Sequence, residues 1–242
     1  DPNLIGDADR VFQGAFILQR GAPINAIYGL EATWIFKSQA EIDAAPDQSA
    51  FGHPTPGDLR YFDENGDGVI TIDDRKIIGQ DNPRWLYGIN GNMEYKGFDL
   101  SFIIQGIADA QIIENSRFYA PFNNSGGVSS LWRDRWTPDN PDASLPKIRI
   151  GQGGINYNVT HSWWLTNKDY LRLKNLQIGY TLPADLFANN FISSLRIYAN
   201  GTNLFTKTDY VGFDPEQGLR NTNGLGSYPQ LKVITAGVNL KF

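Results

Sequence analysis

The chain has 242 residues, with 21 basic and 26 acidic side chains, a formal net charge of −5 and no cysteine. Without a run rich in Lys and Arg, this balance excludes an electrostatic nucleic-acid surface. The lack of cysteine excludes disulfides, zinc–thiolate sites and cysteine nucleophiles. The 25 glycines, 11 tyrosines, 14 phenylalanines and 6 tryptophans favour short strands and tight turns, so we expect mostly β structure.

Residues 1–50 predict two strands, at 11–19 and 25–36, separated by a turn at residues 21–23. A short helix is predicted at residues 39–45, because Ser38 and Glu41 form a capping-box pattern before it. No apolar run reaches the roughly 20 residues of a membrane-spanning helix, so a membrane role would have to use strands.

An oxygen-rich stretch follows at residues 56–75. Its spacing matches a twelve-residue calcium loop, with glycine at position six and oxygen ligands at positions one, three, five, seven and twelve. The candidate calcium ligands are Asp63, Asn65, Asp67, the Val69 carbonyl and Asp74. Asp74 is shorter than the bidentate Glu usual at position twelve. The alternative is a polar hairpin turn whose carboxylates face water.

Alternation of apolar and polar residues is clearest from Ile89 to Gln105, where Lys96-Gly97 supplies the turn of an antiparallel hairpin. Three more alternating strands are predicted near residues 175–182, 195–200 and 233–242. Two architectures produce this alternation: a soluble sandwich with its apolar faces inward, and an outer-membrane barrel with its apolar faces outward. The barrel is favoured by the terminal Phe242 and by aromatic residues near strand ends, namely Trp85, Tyr87, Tyr95, Phe98, Tyr180 and Tyr198.

Residues 107–169 form a long, aromatic and turn-rich connection. Its tryptophans could stack on a substrate sugar, although packing of the connection onto itself is the favoured explanation. These four residues are Trp132, Trp136, Trp163 and Trp164.

No pattern for catalysis is present. There is no nucleophile elbow, phosphate loop or histidine pair, and His53 and His161 are expected to be surface residues. Asp134, Asp139 and Asp142 lack the defined separation across a cleft that a glycosidase needs. We therefore do not expect an enzyme.

Several motifs follow one another along the chain. They are Pro56-Gly57-Asp58-Leu59-Arg60-Tyr61, Asn65-Gly66-Asp67-Gly68, Asp74-Arg75, Ile78-Gly79, Pro83, Tyr87-Gly88, Tyr95-Lys96-Gly97-Phe98-Asp99-Leu100-Ser101, Arg135-Trp136-Thr137-Pro138-Asp139-Asn140-Pro141, Tyr170-Leu171-Arg172-Leu173-Lys174-Asn175, Gly179-Tyr180 and the segments 200–204 and 238–242. In this order they resemble the C-terminal part of SusC/RagA-type TonB-dependent transporters of Bacteroidota. The resemblance covers nearly the whole chain, residues 1–242.

The resemblance implies a segment of an antiparallel barrel of about 22 strands in the bacterial outer membrane. Such a transporter imports oligosaccharides or peptides, with a SusD-like surface lipoprotein outside and TonB–ExbB–ExbD as the motor. The plug domain and the rest of the barrel are expected outside these residues. The resemblance further implies that Val238, Leu240 and Phe242 face lipid and form the signal for the barrel-insertion machinery.

Overall fold

The computed structural model describes residues 10–113, 122, 127–149, 156, 159–187, 191–210, 212, 214–216 and 229–242. These residues form thirteen strands and one short α-helix, so the fold is all-β, as predicted. Among them, no helix is long and apolar enough to cross a membrane. The chain divides into two compact units, the first mainly residues 1–82 and 111–166, the second mainly 83–110, 167–217 and 228–242.

The first unit contains a four-stranded sheet of order β1-β2-β3-β6 and a two-stranded ribbon of β4 and β5. Strands β9 and β10 form a second ribbon. The strands are β1 (Arg10–Gln13), β2 (Phe16–Gln19), β3 (Ala26–Gly29), β4 (Ala32–Ile35), β5 (Leu59–Tyr61), β6 (Lys76–Gln80), β9 (Gln111–Ile113) and β10 (Leu165–Asn167). Short 3₁₀ helices lie in this unit at Ser49–Phe51, Ile72–Asp74, Ser130–Asp134 and Ser162–Trp164, and in the second unit at Ala184–Phe187.

Two predicted strands are each broken into two. The strand predicted at 11–19 is a hairpin, since Gly14 has a φ of 63° and turns the chain between β1 and β2. The strand predicted at 25–36 is interrupted at Leu30, which pairs with a distant segment instead of continuing the strand. The Leu30 N–H donates to the Thr160 carbonyl (2.9 Å), and the Leu30 carbonyl accepts from the Ser162 N–H (3.0 Å). Local alternation cannot reveal such a long-range pairing.

Helix α1 (Gln39–Asp43) has Ser38 as its N-cap, as predicted, and ends two residues before the predicted end at residue 45. The Ser38 hydroxyl accepts the Glu41 N–H (3.3 Å). The Glu41 carboxylate, however, accepts from the N–H of Lys37 (2.8 Å), one residue before the N-cap. The capping box is therefore only half formed.

The core of the first unit packs the β4–β5 ribbon against residues from distant parts of the chain. Burial of these side chains is the main stabilising term of the unit. Its buried members are Leu30, Ile35, Leu59, Tyr61, Ile70 and Val159.

The second unit is a five-stranded antiparallel sheet of order β13-β12-β11-β8-β7. The predicted hairpin is confirmed: Tyr95 pairs with Phe98, and Lys96 and Gly97 have φ values of 48° and 86°, which suit a tight two-residue turn. The strands are β7 (Trp85–Tyr95), β8 (Phe98–Ala108), β11 (Tyr170–Thr181), β12 (Ser194–Thr208) and β13 (Val233–Lys241).

Strand β11 contains an irregularity at Lys174. Leu173 pairs with Ile104 of β8 but Asn175 pairs with Ile103, so Lys174 is an extra residue relative to β8. Such a bulge changes the direction of a side chain while the strand continues.

Candidate functional site

Rows of paired residues across the five-stranded sheet show that its two faces differ in chemistry. One row consists entirely of amides and hydroxyls, and the next row on the opposite face is apolar. The polar row is Asn92, Ser101, Gln177, Asn200 and Thr235, and the apolar row is Met93, Leu100, Ile178, Ala199 and Ala236. We call these two surfaces the polar face and the apolar face of the sheet.

Large side chains of the apolar face are exposed on several strands, such as Ile89, Ile178 and Ile197, while others, such as Phe102 and Leu176, are half-buried. Aromatic residues flank it: Trp85 is 64% exposed at one end of β7, and Tyr95 is 70% exposed at the other. Strand β7 has 11 residues, about 34 Å at 3.4 Å per step. With a tilt of about 40° its height is about 26 Å, which matches the apolar band of outer-membrane barrels. Tyr198, expected among these aromatics, instead lies on the polar face, since it pairs with Gly179.

An ion pair crosses the polar face over Gly179. The Arg196 guanidinium on β12 donates to both carboxylate oxygens of Asp99 on β8, at 2.8 Å and 2.5 Å. Strand β11 lies between the two residues, and Gly179 is its residue directly opposite Asp99. The missing side chain of Gly179 leaves the space through which the ion pair passes.

A second group of charges, two of them buried and two partly exposed, joins β11 to the connection between β12 and β13, residues 209–232. We call it the Arg172 cluster; its members are Arg172, Lys174, Asp214 and Glu216. Arg172 donates to Asp214 (2.9 Å) and lies 3.2 Å from Glu216, which also pairs with Lys174 at 2.6 Å. Arg172 and Asp214 are only 4% and 3% exposed. Burial alone would raise the pKa of Asp214, but the Arg172 guanidinium and two backbone N–H groups outweigh it and lower that pKa.

Sequence reasoning missed the Arg172 cluster because its members are 42 positions apart. One feature of the sequence did point to it: Arg172 falls on the polar side of an alternating strand, where a charged side chain is expected to have a charged partner.

The predicted calcium ligands form a network of hydrogen bonds within the loop. Asp63 accepts the N–H groups of Gly66 (2.7 Å) and Gly68 (2.8 Å), and the Asn65 and Asp67 side chains each accept an N–H two residues on. Buried Asp74 accepts three N–H groups, from Glu64, Asn65 and Thr71. Among the described residues, no three His, Cys, Asp or Glu side chains are grouped as a metal site would need. Calcium binding by these residues and the Val69 carbonyl stays a prediction.

The four tryptophans proposed for substrate stacking pack within the first unit. Trp132 and Trp164 are buried, with ring centroids 6.2 Å apart, and the Trp164 indole N–H donates to the Asn156 carbonyl. Trp136 and Trp163 pack against the core of this unit. Packing, the favoured alternative, accounts for these positions.

His161 is buried, so the expectation of a surface residue was wrong for this histidine. Its Nε2 lies 3.0 Å from the Asn156 carbonyl, which can only accept, so Nε2 carries the proton. Its Nδ1 is buried without a hydrogen-bond partner in the described residues. Burial lowers the pKa of His161 to about 4.

Asp58 is a fully buried carboxylate. Asn156 links it to His161, because the Asn156 side chain donates to Asp58 and the Asn156 carbonyl contacts His161. It accepts from Thr55, from Asn156 (3.0 Å) and from Arg149 (2.9 Å), and pairs with Lys147 at 3.3 Å. Burial opposes its ionisation, but these hydrogen bonds and the two cations outweigh that effect and lower the pKa of Asp58. The cations are about 90 positions away in sequence, which local patterns cannot reveal.

The three residues of the predicted insertion signal lie at the end of the sheet. Val238 and Leu240 are exposed on the apolar face, paired with Ile197 and Leu195, and Phe242 follows β13. Their recognition by an insertion machinery stays a prediction.

The chain is similar to several TonB-dependent receptors, although no protein-family model matches it. It is 32% identical over 239 residues to TonB-dependent receptor P3 of Formosa agariphila, covering 93% of this chain and 23% of that protein. It is 25% identical over 191 residues to TonB-dependent receptor SusC of Bacteroides thetaiotaomicron, covering 77% of this chain and 18% of that protein. Among solved structures, the RagAB peptide importer in the open-open state matches 99% of this chain and 25% of that chain, with a TM-score of 0.72 and 27% identity.

The fold is therefore a segment of an antiparallel transmembrane β-barrel wall, the class predicted from the sequence. The resemblance to SusC/RagA-type TonB-dependent transporters is confirmed, and the chain corresponds to a segment of such a protein. It spans 23% of the length of the Formosa receptor.

Proposed function

We propose that the chain forms the C-terminal part of the barrel wall of a bacterial outer-membrane importer. The observation that carries the proposal is the contrast between the two faces of the five-stranded sheet. The apolar face, with aromatic residues at both ends, suits contact with lipid, and the amide-rich polar face suits a water-filled channel. The rest of the barrel and the plug would be supplied by the remainder of the protein.

The relatives support a proposal for the cargo and the partners. The match to the RagAB peptide importer supports a peptide cargo. The resemblance to SusC/RagA-type transporters adds oligosaccharides as an alternative cargo and a SusD-like surface lipoprotein as a partner. The name TonB-dependent receptor supports energy supply by TonB–ExbB–ExbD. The amides and hydroxyls of the polar row can donate and accept hydrogen bonds with either kind of cargo.

The soluble calcium-stabilised sandwich is not favoured. A sandwich buries its apolar face against a second sheet. In the described residues this face is exposed, including Ile178 at 52% and Ile197 at 51%.

Neighbouring residues on opposite faces provide the test. In the whole protein, freed of other cysteines and reconstituted in liposomes, Ile178→Cys and Gln177→Cys each introduce one thiol. We expect Ile178→Cys to react with a lipid-soluble maleimide and resist a charged, water-soluble one, while Gln177→Cys reacts with the water-soluble reagent. Equal reaction of both variants with the water-soluble reagent, or recovery of the protein from the soluble fraction of cells, would contradict the proposal.

A further inference from the structure

The Arg172 cluster holds two ends of one connection as well as joining that connection to β11. Asp214 accepts the Gln230 N–H (2.8 Å) and the Glu216 N–H (3.0 Å). It therefore ties the beginning of the 209–232 connection to its end. Arg172 then ties both to strand β11 through the same carboxylate.

The direction of Arg172 is fixed from a third side. Its Nε donates to the Thr206 hydroxyl on β12 (2.8 Å), and Arg172 pairs with Thr206 in the strand register. The planar fork of a guanidinium holds its donors in a rigid arrangement. With Nε fixed on Thr206, Nη2 donates to Asp214. Nη1 lies 3.2 Å from a Glu216 oxygen, a charge contact without hydrogen-bond geometry.

The bulge in β11 supplies the fourth charge. Because Lys174 is an extra residue relative to β8, it joins Arg172 on the polar side, while Leu173 and Leu176 stay on the apolar face. Lys174 pairs with Glu216. The cluster thus contains two cations and two anions.

Stability alone does not account for such a cluster. Taking charges out of water is costly, and well-packed apolar residues can replace a buried ion pair without loss of stability. What the charges add is geometry, because each hydrogen bond has a fixed direction and length.

We propose that Arg172 is a positioning residue that fixes the base of the 209–232 connection on the polar face of the barrel wall. The connection is thereby held on the channel side of the wall at Asp214, Glu216 and Gln230. That this side faces a channel rests on the proposed function. The positioning role of Arg172 rests only on its contacts and those of Asp214.

The test is hydrogen exchange measured by mass spectrometry on the purified whole protein in detergent. In Arg172→Gln and in Asp214→Asn, we expect the Glu216 and Gln230 amides to exchange about tenfold faster than in wild type. Arg172→Lys keeps the charge and loses the fork, so it should restore part of the protection. Arg196→Gln is the matched control, because it removes the other ion pair of the polar face and should leave these amides unchanged.

The inference is overturned if Arg172→Gln exchanges like wild type at both amides, or if Arg196→Gln accelerates them as much. If Arg172→Gln also speeds exchange at the amides of β11, the variant has disturbed the strand itself, and Asp214→Asn becomes the deciding test because it keeps Arg172. Unchanged exchange at Gln230 in Asp214→Asn overturns the inference. Loss of outer-membrane localisation would refute the proposed function but would not alter this result, which is measured on purified protein.

Discussion

His161 makes the first unit sensitive to acid. Its pKa of about 4 lies below the value of about 6.5 in an unfolded chain, so the unfolded segment takes up the proton first as the pH falls. The contribution of His161 to stability is therefore complete above about pH 6.5 and decreases toward pH 4. The slope is about 1.4 kcal/mol per pH unit, or roughly 3 kcal/mol over this window.

We expect the amides of residues 159–164 in the purified protein to open more readily at pH 5 than at pH 7.5, after correction for intrinsic exchange rates. His161→Phe should remove most of this pH dependence, because it keeps a ring beside Trp164 without a titrating nitrogen. His53→Gln is the control and should behave like wild type. An unchanged pH dependence in His161→Phe would show that another group is responsible.

Gly179 has no room for a side chain beside the Asp99–Arg196 ion pair. A Cβ at this position would lie 2.5 Å from the Arg196 Nη2 and 2.6 Å from an Asp99 oxygen, closer than real contacts permit. We expect Gly179→Ala to displace this ion pair and to destabilise the sheet by about 1 kcal/mol or less, because the atoms that the Cβ meets are the ends of two flexible, partly exposed side chains. Gly88→Ala is the matched control, since its Cβ would meet only the Ile104 carbonyl at 3.5 Å.

The measurement is the temperature at which the folded, fast-migrating form of each variant is lost on unheated gel electrophoresis. Gly179→Ala should be lost at a lower temperature than wild type, and Gly88→Ala at about the same temperature. If the two variants behave alike, the ion pair over Gly179 does not constrain that position.

At the scale of elements, the loop from Asp63 to Asp74 depends on one buried carboxylate. Asp74→Ala would leave three backbone N–H groups without their acceptor. We expect a local loss of about 1–3 kcal/mol, seen as faster amide exchange at Glu64 and Thr71. Asp73→Ala is the control, because Asp73 is exposed beside Asp74.

The same loop carries the calcium prediction. If the ion binds, calcium should slow exchange at Gly66 and Gly68 in wild type and have no effect in an Asp63→Asn, Asp67→Asn double variant. Magnesium serves as the control, since its strict octahedral geometry suits this loop poorly. An identical exchange pattern with and without calcium would leave the loop as an ion-free turn held by its own hydrogen bonds.

The long strands could be predicted from the sequence because a period of two is a local property. The hairpin at Lys96-Gly97 and the faces of β8 follow from alternation alone. Of β12 (Ser194–Thr208), alternation predicted only residues 195–200. The short strands of the first unit could not be predicted, since Leu30 pairs with a segment about 130 residues away. For the same reason local patterns could not reveal the Asp58 contacts or the partners of Arg172, which join distant residues.

At the scale of the whole molecule, the segment should not be stable in water by itself. The apolar face is exposed, and β7 and β13 are the outer strands of the sheet in the described residues. Unpaired strand edges and uncovered apolar surface lead to aggregation. We expect residues 1–242, produced alone without detergent, to be insoluble or oligomeric in analytical ultracentrifugation, and the whole protein in detergent to be monodisperse. A monomeric, cooperatively folding segment in plain buffer would contradict the barrel.

The extra residue at Lys174 also has a consequence for the apolar face of the sheet. An extra residue in a strand ordinarily turns every later side chain to the opposite face, and would turn Leu176, Ile178 and Tyr180 onto the polar face. Here the extra residue lies on the polar side, and the apolar face continues past it from Leu173 to Leu176. Strand β11 thus carries one more charged group on its polar face without an interruption of its apolar face.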